Sequence, residues 1–228
     1  MGSAGGVLIV FEGGEGSGKT TQLRRVSAAL GKAGVSHLCL REPGGTTLGT
    51  EVRRLVLLEL ASDVVPRAEA LLFMAARAQL VEREVKPALA RGDIVLLDRF
   101  FLSTYAYQVA GHGLPEEQVR AANAFATGGL IPDLTLLLTF PVTEGLARAA
   151  RRANAHDRIE AMGEEFHRRV AAALGTFADP SWQADHPECG PIVGIDAEGD
   201  EQGVSERVGA ALHARWSGTF PSFKSSSR

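Results

Sequence analysis

The stretch that decides the fold is residues 7–21, VLIVFEGGEGSGKTT. It begins with five apolar residues, Val7–Phe11, which predict a short buried strand. It then crosses a glycine-rich loop and enters Lys19–Ala33, in which Leu23, Val26 and Leu30 recur at helical spacing. Strand, loop and helix in this order are what a phosphate-binding loop requires, so the chain is expected to hold a nucleoside triphosphate.

The loop has the residues that contact phosphate in such a motif. Residues 13–20 fit G-x-x-x-x-G-K-[ST], in which glycines let backbone N–H groups point at phosphate oxygens while the next helix presents its positive end. We expect Lys19 to be catalytic, reaching the β- and γ-phosphates of ATP, and the Thr20 hydroxyl to bind Mg²⁺. The predicted contacts with the ATP phosphates are Gly13, Gly14, Glu15, Gly16, Ser17, Gly18, Lys19, Thr20 and Thr21.

Apolar runs alternate with amphipathic segments along the rest of the chain. Strands are predicted at 7–11, 35–40, 94–97, 134–140 and 192–195. Helices are predicted at 19–33, 48–60, 67–91 (broken or kinked at Pro87), 101–110, 115–127, 143–153, 163–178 and 201–215. This alternation indicates an α/β P-loop NTPase fold, a five-stranded parallel sheet with helices on both faces. We expect one domain over 1–228, with frayed ends at 1–6 and 219–228.

Composition limits the partners. The 24 basic and 27 acidic residues give a formal charge of −3, which argues against nucleic acid as a partner. No apolar run approaches the length of a membrane span, and residues 1–6 lack the build of a signal peptide. The two cysteines, Cys39 and Cys189, have no metal-like spacing and favour a reducing compartment. We therefore expect a cytoplasmic protein without a membrane partner.

A second charged element, Asp98-Arg99, directly follows the apolar run Ile94–Leu97. Because ligands of doubly wound sheets collect beyond the carboxyl ends of the strands, both side chains should face the phosphate loop. Asp98 is suited to orient Mg²⁺ or its waters, and the planar fork of Arg99 is suited to grip a phosphate. The alternative from this pair alone is a surface ion pair at a strand end.

Phe73 and Arg77 are four residues apart in a predicted helix and so share one face. An aromatic plane and a guanidinium in one pocket would suit a nucleobase, through stacking and directed hydrogen bonds. Taken alone, Phe73 within the apolar run 70–76 is better explained as a core residue. Spacing alone does not decide between these interpretations.

Other P-loop classes have motifs that this sequence does not contain. It has neither the Asn-Lys-x-Asp element of GTPases nor the Leu-Ser-Gly-Gly-Gln element of ABC-type ATPases. Small-molecule kinases therefore become the leading class.

Taken together, the motifs resemble those of bacterial thymidylate kinases, over roughly residues 7 to 215. The resemblance rests on residues 11–22 (FEGGEGSGKTTQ), 41–46 (REPGGT), 72–77 (LFMAAR), 98–100 (DRF) with Ser103, 106–108 (AYQ), 132–134 (PDL) and 157–160 (DRIE). It implies a nucleoside monophosphate kinase-like fold that transfers a phosphate from ATP to dTMP, with Mg²⁺ as cofactor and a homodimer as assembly.

The resemblance also implies roles for residues around dTMP. Phe73 would stack on thymine, Arg77 would hydrogen-bond its carbonyl edge, and Thr104 would stand near the base. Arg99 would hold the monophosphate as a catalytic residue. Tyr107 would lie under the sugar and disfavour a ribose 2′-OH, while Glu15 would address the 3′-OH. The implied dTMP contacts are Glu15, Glu42, Pro43, Phe73, Arg77, Arg99, Thr104 and Tyr107, with a cis Glu42–Pro43 peptide as in relatives.

Three further arginines, Arg148, Arg151 and Arg152, end a predicted helix. From the residues alone they are a solvated charged face, but the resemblance places them in a lid at about 148–160 that closes over ATP. Some thymidylate kinases have an arginine within the phosphate loop, at the position of Gly16 here. We therefore expect a lid arginine to supply the catalytic positive charge, without the spacing deciding which one.

Two alternatives remain open at this point. A deoxynucleoside kinase would need a carboxylate after the second strand as general base, and Glu42 could fill that role. A non-catalytic nucleotide binder would use the phosphate loop without an acceptor. Arg77 and Arg99 favour a phosphorylated acceptor over the first alternative, and the arginines of the predicted lid argue against the second.

Overall fold

The computed structural model describes residues 5–59, 64–140 and 162–220, with the side chains of 58 and 59 left out. Five parallel strands form one sheet in the order β2-β3-β1-β4-β5. They are β1 (Val7–Gly13), β2 (His37–Arg41), β3 (Ile94–Asp98), β4 (Leu134–Thr139) and β5 (Ile192–Asp196). The predicted α/β fold is confirmed, and all five strands lie within two residues of their predicted limits.

The central strand β1 shows why the apolar runs are unbroken. Leu8 and Val10 face one side of the sheet and contribute to one buried cluster, whereas Ile9 and Phe11 face the other and contribute to a second. All four are at most 1% exposed, because helices cover both faces. The sheet is thus the middle layer of three.

Nine α-helices are present in the described ranges. They are α1 (Lys19–Lys32), α2 (Thr47–Arg54), α3 (Pro66–Leu80), α4 (Lys86–Ala90), α5 (Phe101–Thr104), α6 (Glu116–Thr127), α7 (Glu164–Thr176), α8 (Pro180–Asp185) and α9 (Glu201–Arg215). A short 3₁₀ turn, Pro187–Cys189, follows α8. Neither α8 nor this turn was predicted, because six residues show too little periodicity.

Three π-helical segments extend the α-helices: Leu55–Glu59, Val81–Val85 and Tyr105–Gly111. The break predicted at Pro87 is therefore a change of hydrogen-bond pattern. The chain stays helical, and the last N–H before the proline, that of Lys86, donates to the Val81 carbonyl five residues back. The predicted helix at 143–153 lies outside the described residues.

Residues at both limits of the described chain are held by the fold, and the rest of the predicted frayed ends, 1–4 and 221–228, lies outside the described residues. Gly6 N–H donates to Leu89 O at 2.8 Å. Phe220 is 1% exposed and packs near Trp216, with the ring centroids 5.8 Å apart. Burial of an aromatic side chain stabilises the fold through its large apolar area. Phe220 can therefore join the core although the residues near this terminus are mostly polar.

Asp133 fixes the start of β4 against β1. Its Oδ2 accepts from Leu8 N–H at 2.8 Å, and its own N–H donates to Leu8 O at 2.9 Å. The carboxylate therefore extends the ladder by one bond before β4 begins. This register matters because the carboxyl ends of β1 and β4 flank the phosphate loop.

We expect Asp133→Ala to lower the free energy of unfolding by about 1–2 kcal/mol, because it leaves the Leu8 N–H without an acceptor. Urea unfolding followed by circular dichroism would measure the change. Asp133→Asn is the matched control, since its side-chain oxygen can still accept this bond and should retain most of the stability. Equal losses in both variants would contradict this role for Asp133.

Candidate active site

The phosphate loop lies at the carboxyl end of β1, and its path depends on glycine. Gly13 has φ 143°, and a Cβ there would stand 2.4 Å from Leu138 O on β4. Gly18, with φ 87°, turns the chain into α1 in the left-handed region. Only glycine adopts these conformations readily, so the loop can pass close against β4 and begin a helix at once.

Lys19 is buried at the base of this loop. Its ammonium donates to Gly14 O at 2.7 Å, so the side chain curls back under the loop. Burial, with a further contribution from the nearby Arg99 guanidinium, lowers its pKa to about 8. Bound phosphates would oppose both effects, so the site is electrostatically prepared for an anion.

A buried carboxylate, Glu12, organises the chain that follows β3. Its side chain is 0% exposed and accepts Phe100 N–H at 2.6 Å, Ser103 N–H at 3.0 Å and Ser103 O–H at 2.7 Å. These bonds satisfy donors at the start of α5 and tie that helix to the last residues of β1. Glu12 therefore determines where the intervening residue, Arg99, can project.

Arg99 stands in a strained backbone conformation, with φ 72°, the one positive φ outside glycine among the described residues. Its guanidinium donates to Ser103 Oγ at 2.9 Å and to Glu15 Oε1, and its Cζ lies 5.2 Å from the centre of the Tyr107 ring. The Tyr107 hydroxyl also donates to Glu15 Oε1, at 3.2 Å. Arg99, Glu15 and Tyr107 thus form one charged wall beside the phosphate loop.

The two predicted metal ligands are adjacent. Thr20 Oγ1 donates to Asp98 Oδ2 at 2.6 Å, which places a hydroxyl and a carboxylate at the mouth of the loop. Both are hard oxygen ligands of the kind that Mg²⁺ prefers, and Mg²⁺ commonly takes its remaining ligands from water and substrate phosphates.

A cavity of about 220 Å³ brings the two predicted subsites together. Its floor and walls include loop residues, the Glu42–Pro43 turn, the helix α3 and the segment that follows β3. The predicted site residues that line it are Glu15, Gly16, Gly18, Lys19, Thr20, Thr21, Glu42, Pro43, Phe73, Arg77, Asp98, Arg99, Thr104 and Tyr107. Gly13, Gly14 and Ser17 lie in the loop behind this wall, and the Glu42–Pro43 peptide is cis.

Arg77 has all of its donors engaged by the protein. It donates twice to Glu42 Oε2, to Thr104 Oγ1 at 2.9 Å, to Phe100 O at 2.9 Å and to Asn123 Oδ1. A guanidinium has five N–H groups, so none remains unused. A direct hydrogen bond from Arg77 to a base would have to replace one of these five.

Glu42 is nine-tenths buried beside Arg77, and only its Oε2 is hydrogen-bonded; Oε1 has no partner among the described residues. Burial raises the pKa of its carboxyl, and the Arg77 charge opposes that rise. The side chain that could have served as a general base in a deoxynucleoside kinase is therefore used to anchor Arg77.

Phe73 is half-buried, with part of its ring packed on a small apolar cluster and part in the cavity. The packed part of the ring agrees with the interpretation of Phe73 as a core residue, and stacking on a nucleobase stays a prediction. The predicted lid, at about 148–160, with Arg148, Arg151 and Arg152, lies outside the described residues.

Several residues of the site were not predicted from sequence. Glu12 directly follows the apolar run Val7–Phe11. A charged residue at the end of a buried strand was the signal that could have marked it as a site residue. Asn123 contacts Arg77 from α6, 46 residues away in the chain, and no local pattern marks it. Arg41, Arg53, Ser103 and Gln108 also line the cavity.

Together, the doubly wound sheet, the phosphate loop with its buried lysine and the arginine-walled cavity define a P-loop nucleotide-binding protein with room for a second anionic ligand. A model of the thymidylate kinase family matches residues 11–184. The chain belongs to the thymidylate kinase family.

Thymidylate kinases from three bacteria are similar to this chain over most of its length. The thymidylate kinase of Deinococcus radiodurans is 44% identical over 210 residues, covering 92% of this chain and 98% of its own. That of Cutibacterium acnes is 48% identical over 204 residues, covering 90% and 95%. That of Thermomicrobium roseum is 48% identical over 193 residues, covering 83% and 91%.

The charged wall generates a pH prediction. The Arg99 guanidinium lowers the pKa of Glu15 from 4.5 to about 2. A carboxyl whose pKa is lower in the folded state stabilises the fold above its ordinary pKa, and the contribution is lost as pH falls towards the folded value. Glu15 should therefore contribute on the order of 3 kcal/mol at neutral pH, lost between about pH 4.5 and pH 2.

Glu15→Gln removes this contribution, so its stability deficit relative to the wild type should be largest near pH 7 and shrink as pH falls. Urea midpoints at half-unit steps from pH 7 to pH 3 would measure it. The exposed Glu117→Gln on α6 is the control and should track the wild type. A deficit for Glu15→Gln that is independent of pH would show that the ion pair is not its cause.

Proposed function

We propose that this chain transfers the γ-phosphate of ATP to dTMP, giving ADP and dTDP. The observation that supports this most strongly is the cavity in which the phosphate loop, the Arg99 wall and Phe73 face one another. A triphosphate on the loop and a monophosphate on Arg99 would meet across Glu15 and Lys19. The names of the relatives support the same reaction.

The chemistry asks little of a general base. The second pKa of a phosphate monoester is about 6, so the acceptor oxygen is already ionised at neutral pH. Catalysis then depends on in-line positioning and on neutralising the charge that moves. Lys19 and Arg99 are placed for this, and we propose that Arg148, Arg151 or Arg152 adds a further positive charge to the transferring group.

The nucleoside of dTMP would lie between Phe73 and the charged wall. Phe73 would stack on thymine, with Arg77 and Thr104 beside the base and the Glu42–Pro43 turn behind them. Tyr107 would lie under the deoxyribose. A monophosphate arriving at Arg99 would replace its bond to Glu15, which would free that carboxylate to accept from the sugar 3′-OH.

Mg²⁺ would be held by Thr20 and Asp98, whose oxygens fit it. The chemistry that Mg²⁺ would supply there is neutralisation of negative charge on the ATP phosphates. Removal of divalent cations should therefore abolish turnover.

One assay separates this function from its rivals: ADP release with ATP and Mg²⁺ against dTMP, dUMP, dCMP, AMP and thymidine. We expect the highest kcat/KM with dTMP. Turnover of thymidine with none on dTMP would instead establish a deoxynucleoside kinase with Glu42 as its candidate base. ATP binding without turnover of any acceptor would establish a nucleotide binder.

Arg99→Ala should raise the KM for dTMP far more than the KM for ATP, because in the proposed arrangement the guanidinium would face the monophosphate. Each lost charge-assisted hydrogen bond should cost about 10- to 100-fold in kcat/KM for dTMP. Arg99→Lys keeps the charge without the planar fork, so its kcat/KM for dTMP should lie between those of the wild type and Arg99→Ala. Steady-state kinetics with each substrate varied would show it, and equal losses for ATP and dTMP would mean that Arg99 does not hold the acceptor.

We also propose a homodimer through the outer faces of α3 and α6, which pack against each other. Phe125 on α6 is 90% exposed and Leu71 on α3 is 59% exposed, and exposed apolar side chains on neighbouring helices are a feature of protein–protein interaction sites. A second copy of the chain is the partner that would supply a matching apolar face.

Phe125→Asp should shift the protein from dimer to monomer, because it places a charge in the proposed contact. Analytical ultracentrifugation would measure the mass at several concentrations. Val193→Asp, on the edge strand β5, is the control and should leave the mass unchanged. A monomeric wild type, or a dimer unaffected by Phe125→Asp, would rule out this interface.

The cellular setting follows from the same chemistry. No helix in the described part of the chain is long and apolar enough to cross a membrane, and Cys39 and Cys189 are both free thiols. Free thiols persist in a reducing compartment, so we place the enzyme in the cytoplasm.

A further inference from the structure

The two ends of the Arg99 guanidinium have different kinds of partner. Nη2 donates to Glu15 Oε1, on the phosphate loop. Nη1 donates to Ser103 Oγ at 2.9 Å, with the Gly13 carbonyl oxygen farther away at 3.5 Å. In the proposed arrangement a monophosphate replaces Glu15 and so takes the Nη2 end. Among the described residues, Ser103 would then be the closest hydrogen-bond partner that the protein still gives this guanidinium.

The proton of the Ser103 hydroxyl is directed away from Arg99. The hydroxyl donates to Glu12 Oε2 at 2.7 Å, and a carboxylate can only accept. A hydroxyl has one proton and two lone pairs, so Ser103 Oγ receives Arg99 Nη1 through a lone pair. The chain of hydrogen bonds therefore has one fixed direction, from Arg99 through Ser103 to Glu12.

Charges at both ends strengthen this chain. A cation donates to the hydroxyl, and the hydroxyl donates to Glu12, which is 0% exposed. Hydrogen bonds to ionised groups are stronger than neutral ones, and linked bonds in a buried network polarise one another. Nη1 is therefore held more firmly than an isolated serine hydroxyl would hold it.

Ser103 is also part of the cavity wall, but its hydroxyl cannot donate to a bound phosphate because its one proton goes to Glu12. We propose that Ser103 is a positioning residue, which holds Nη1 of Arg99 when Glu15 is displaced and so aims the other end of the guanidinium at the acceptor phosphate. This rests on the proposed function, because it assumes that a monophosphate binds at Arg99.

Ser103→Ala tests this because it removes the hydroxyl and keeps the backbone. The N–H of residue 103 still donates to Glu12 Oε1, at 3.0 Å in the wild type, so the start of α5 stays tied to β1. Arg99 keeps its charge but loses its anchor at Nη1. We expect the Kd for dTMP to rise about 10-fold, the cost of one charge-assisted hydrogen bond, with the KM for ATP unchanged. Titration calorimetry and steady-state kinetics would measure the two constants.

Thymidine separates the aiming of Arg99 from a general loss of structure. It has the base and sugar of dTMP but no phosphate, so in the proposed arrangement it makes no contact with the guanidinium. Ser103→Ala should therefore leave the Kd for thymidine unchanged while it weakens the binding of dTMP. A merely structural role for Ser103 would weaken both ligands by the same factor.

Two further variants complete the comparison. Ser103→Thr keeps the hydroxyl and should retain most of the affinity for dTMP. Ser205→Ala is the matched control, because Ser205 on α9 is a buried serine whose Oγ accepts from Arg25 Nε at 3.1 Å. It removes the same kind of bond outside the cavity wall, so the Kd for dTMP should stay at the wild-type value.

The outcomes separate this role from the proposed function. A wild type without dTMP turnover would refute the proposed function itself. Wild-type turnover together with an unchanged Kd for dTMP in folded Ser103→Ala, or with equal losses for dTMP and thymidine, would overturn only the role of Ser103. If that variant does not fold, Ser103→Cys decides, because a thiol is a weaker donor and acceptor. A loss of affinity confined to dTMP supports the role, and any other result excludes it.

Discussion

The burial of Glu12 at the end of the central strand is the constraint on which the site depends. A carboxylate without solvent is costly unless it is fully hydrogen-bonded, and Glu12 meets this requirement by accepting from Phe100 and Ser103. Those bonds pull the start of α5 onto the phosphate loop. Arg99, which precedes them, must then adopt a left-handed backbone and point across the loop. One buried charge thus joins the end of β1, where the phosphate loop begins, to the segment that carries Arg99.

The charged side chains around the cavity form ion pairs with one another. Lys19 and Arg99 face the place where phosphates would lie, Glu15 neutralises Arg99 in their absence, and Glu42 anchors Arg77 farther in. Buried charges that pair with one another cost less than isolated ones, so the cavity can stay folded without a ligand. The low pKa of Glu15 and the lowered pKa of Lys19 express this balance. A bound phosphate would compete with Glu15 rather than fill an electrostatic void.

The helix α3 contributes a connected set of side chains to the same region. Phe73 lines the cavity, and Arg77 lies in a closed network with Asn123. Glu69, one turn before Phe73, accepts a hydrogen bond from Gln108. Residues at intervals of four share one face of a helix, so a single stripe of α3 makes all these contacts.

Local patterns were sufficient for the fold and for part of the site. The unbroken apolar runs and the glycine-lysine loop report short-range requirements, burial on both faces and close approach of backbone to phosphate, so they can be read from neighbouring residues. Asp98 and Arg99 were predictable for the same reason, since the end of a parallel strand is a known place for ligands. The hydrogen-bond network of Arg77 was not, because its partners come from three separate segments: the Glu42 turn, α5 with its cap, and α6.

The sequence by itself therefore determined the order of strands and helices, the phosphate loop and the family. Only the tertiary structure decided that Glu12 holds the start of α5 beside Arg99, that Glu42 and Asn123 accept from Arg77, and that Glu69 accepts from Gln108. The physical reason is that these are contacts between buried polar groups far apart in the chain. A hydrogen bond of this kind depends on two side chains meeting in space, and no periodicity along the sequence records where that occurs.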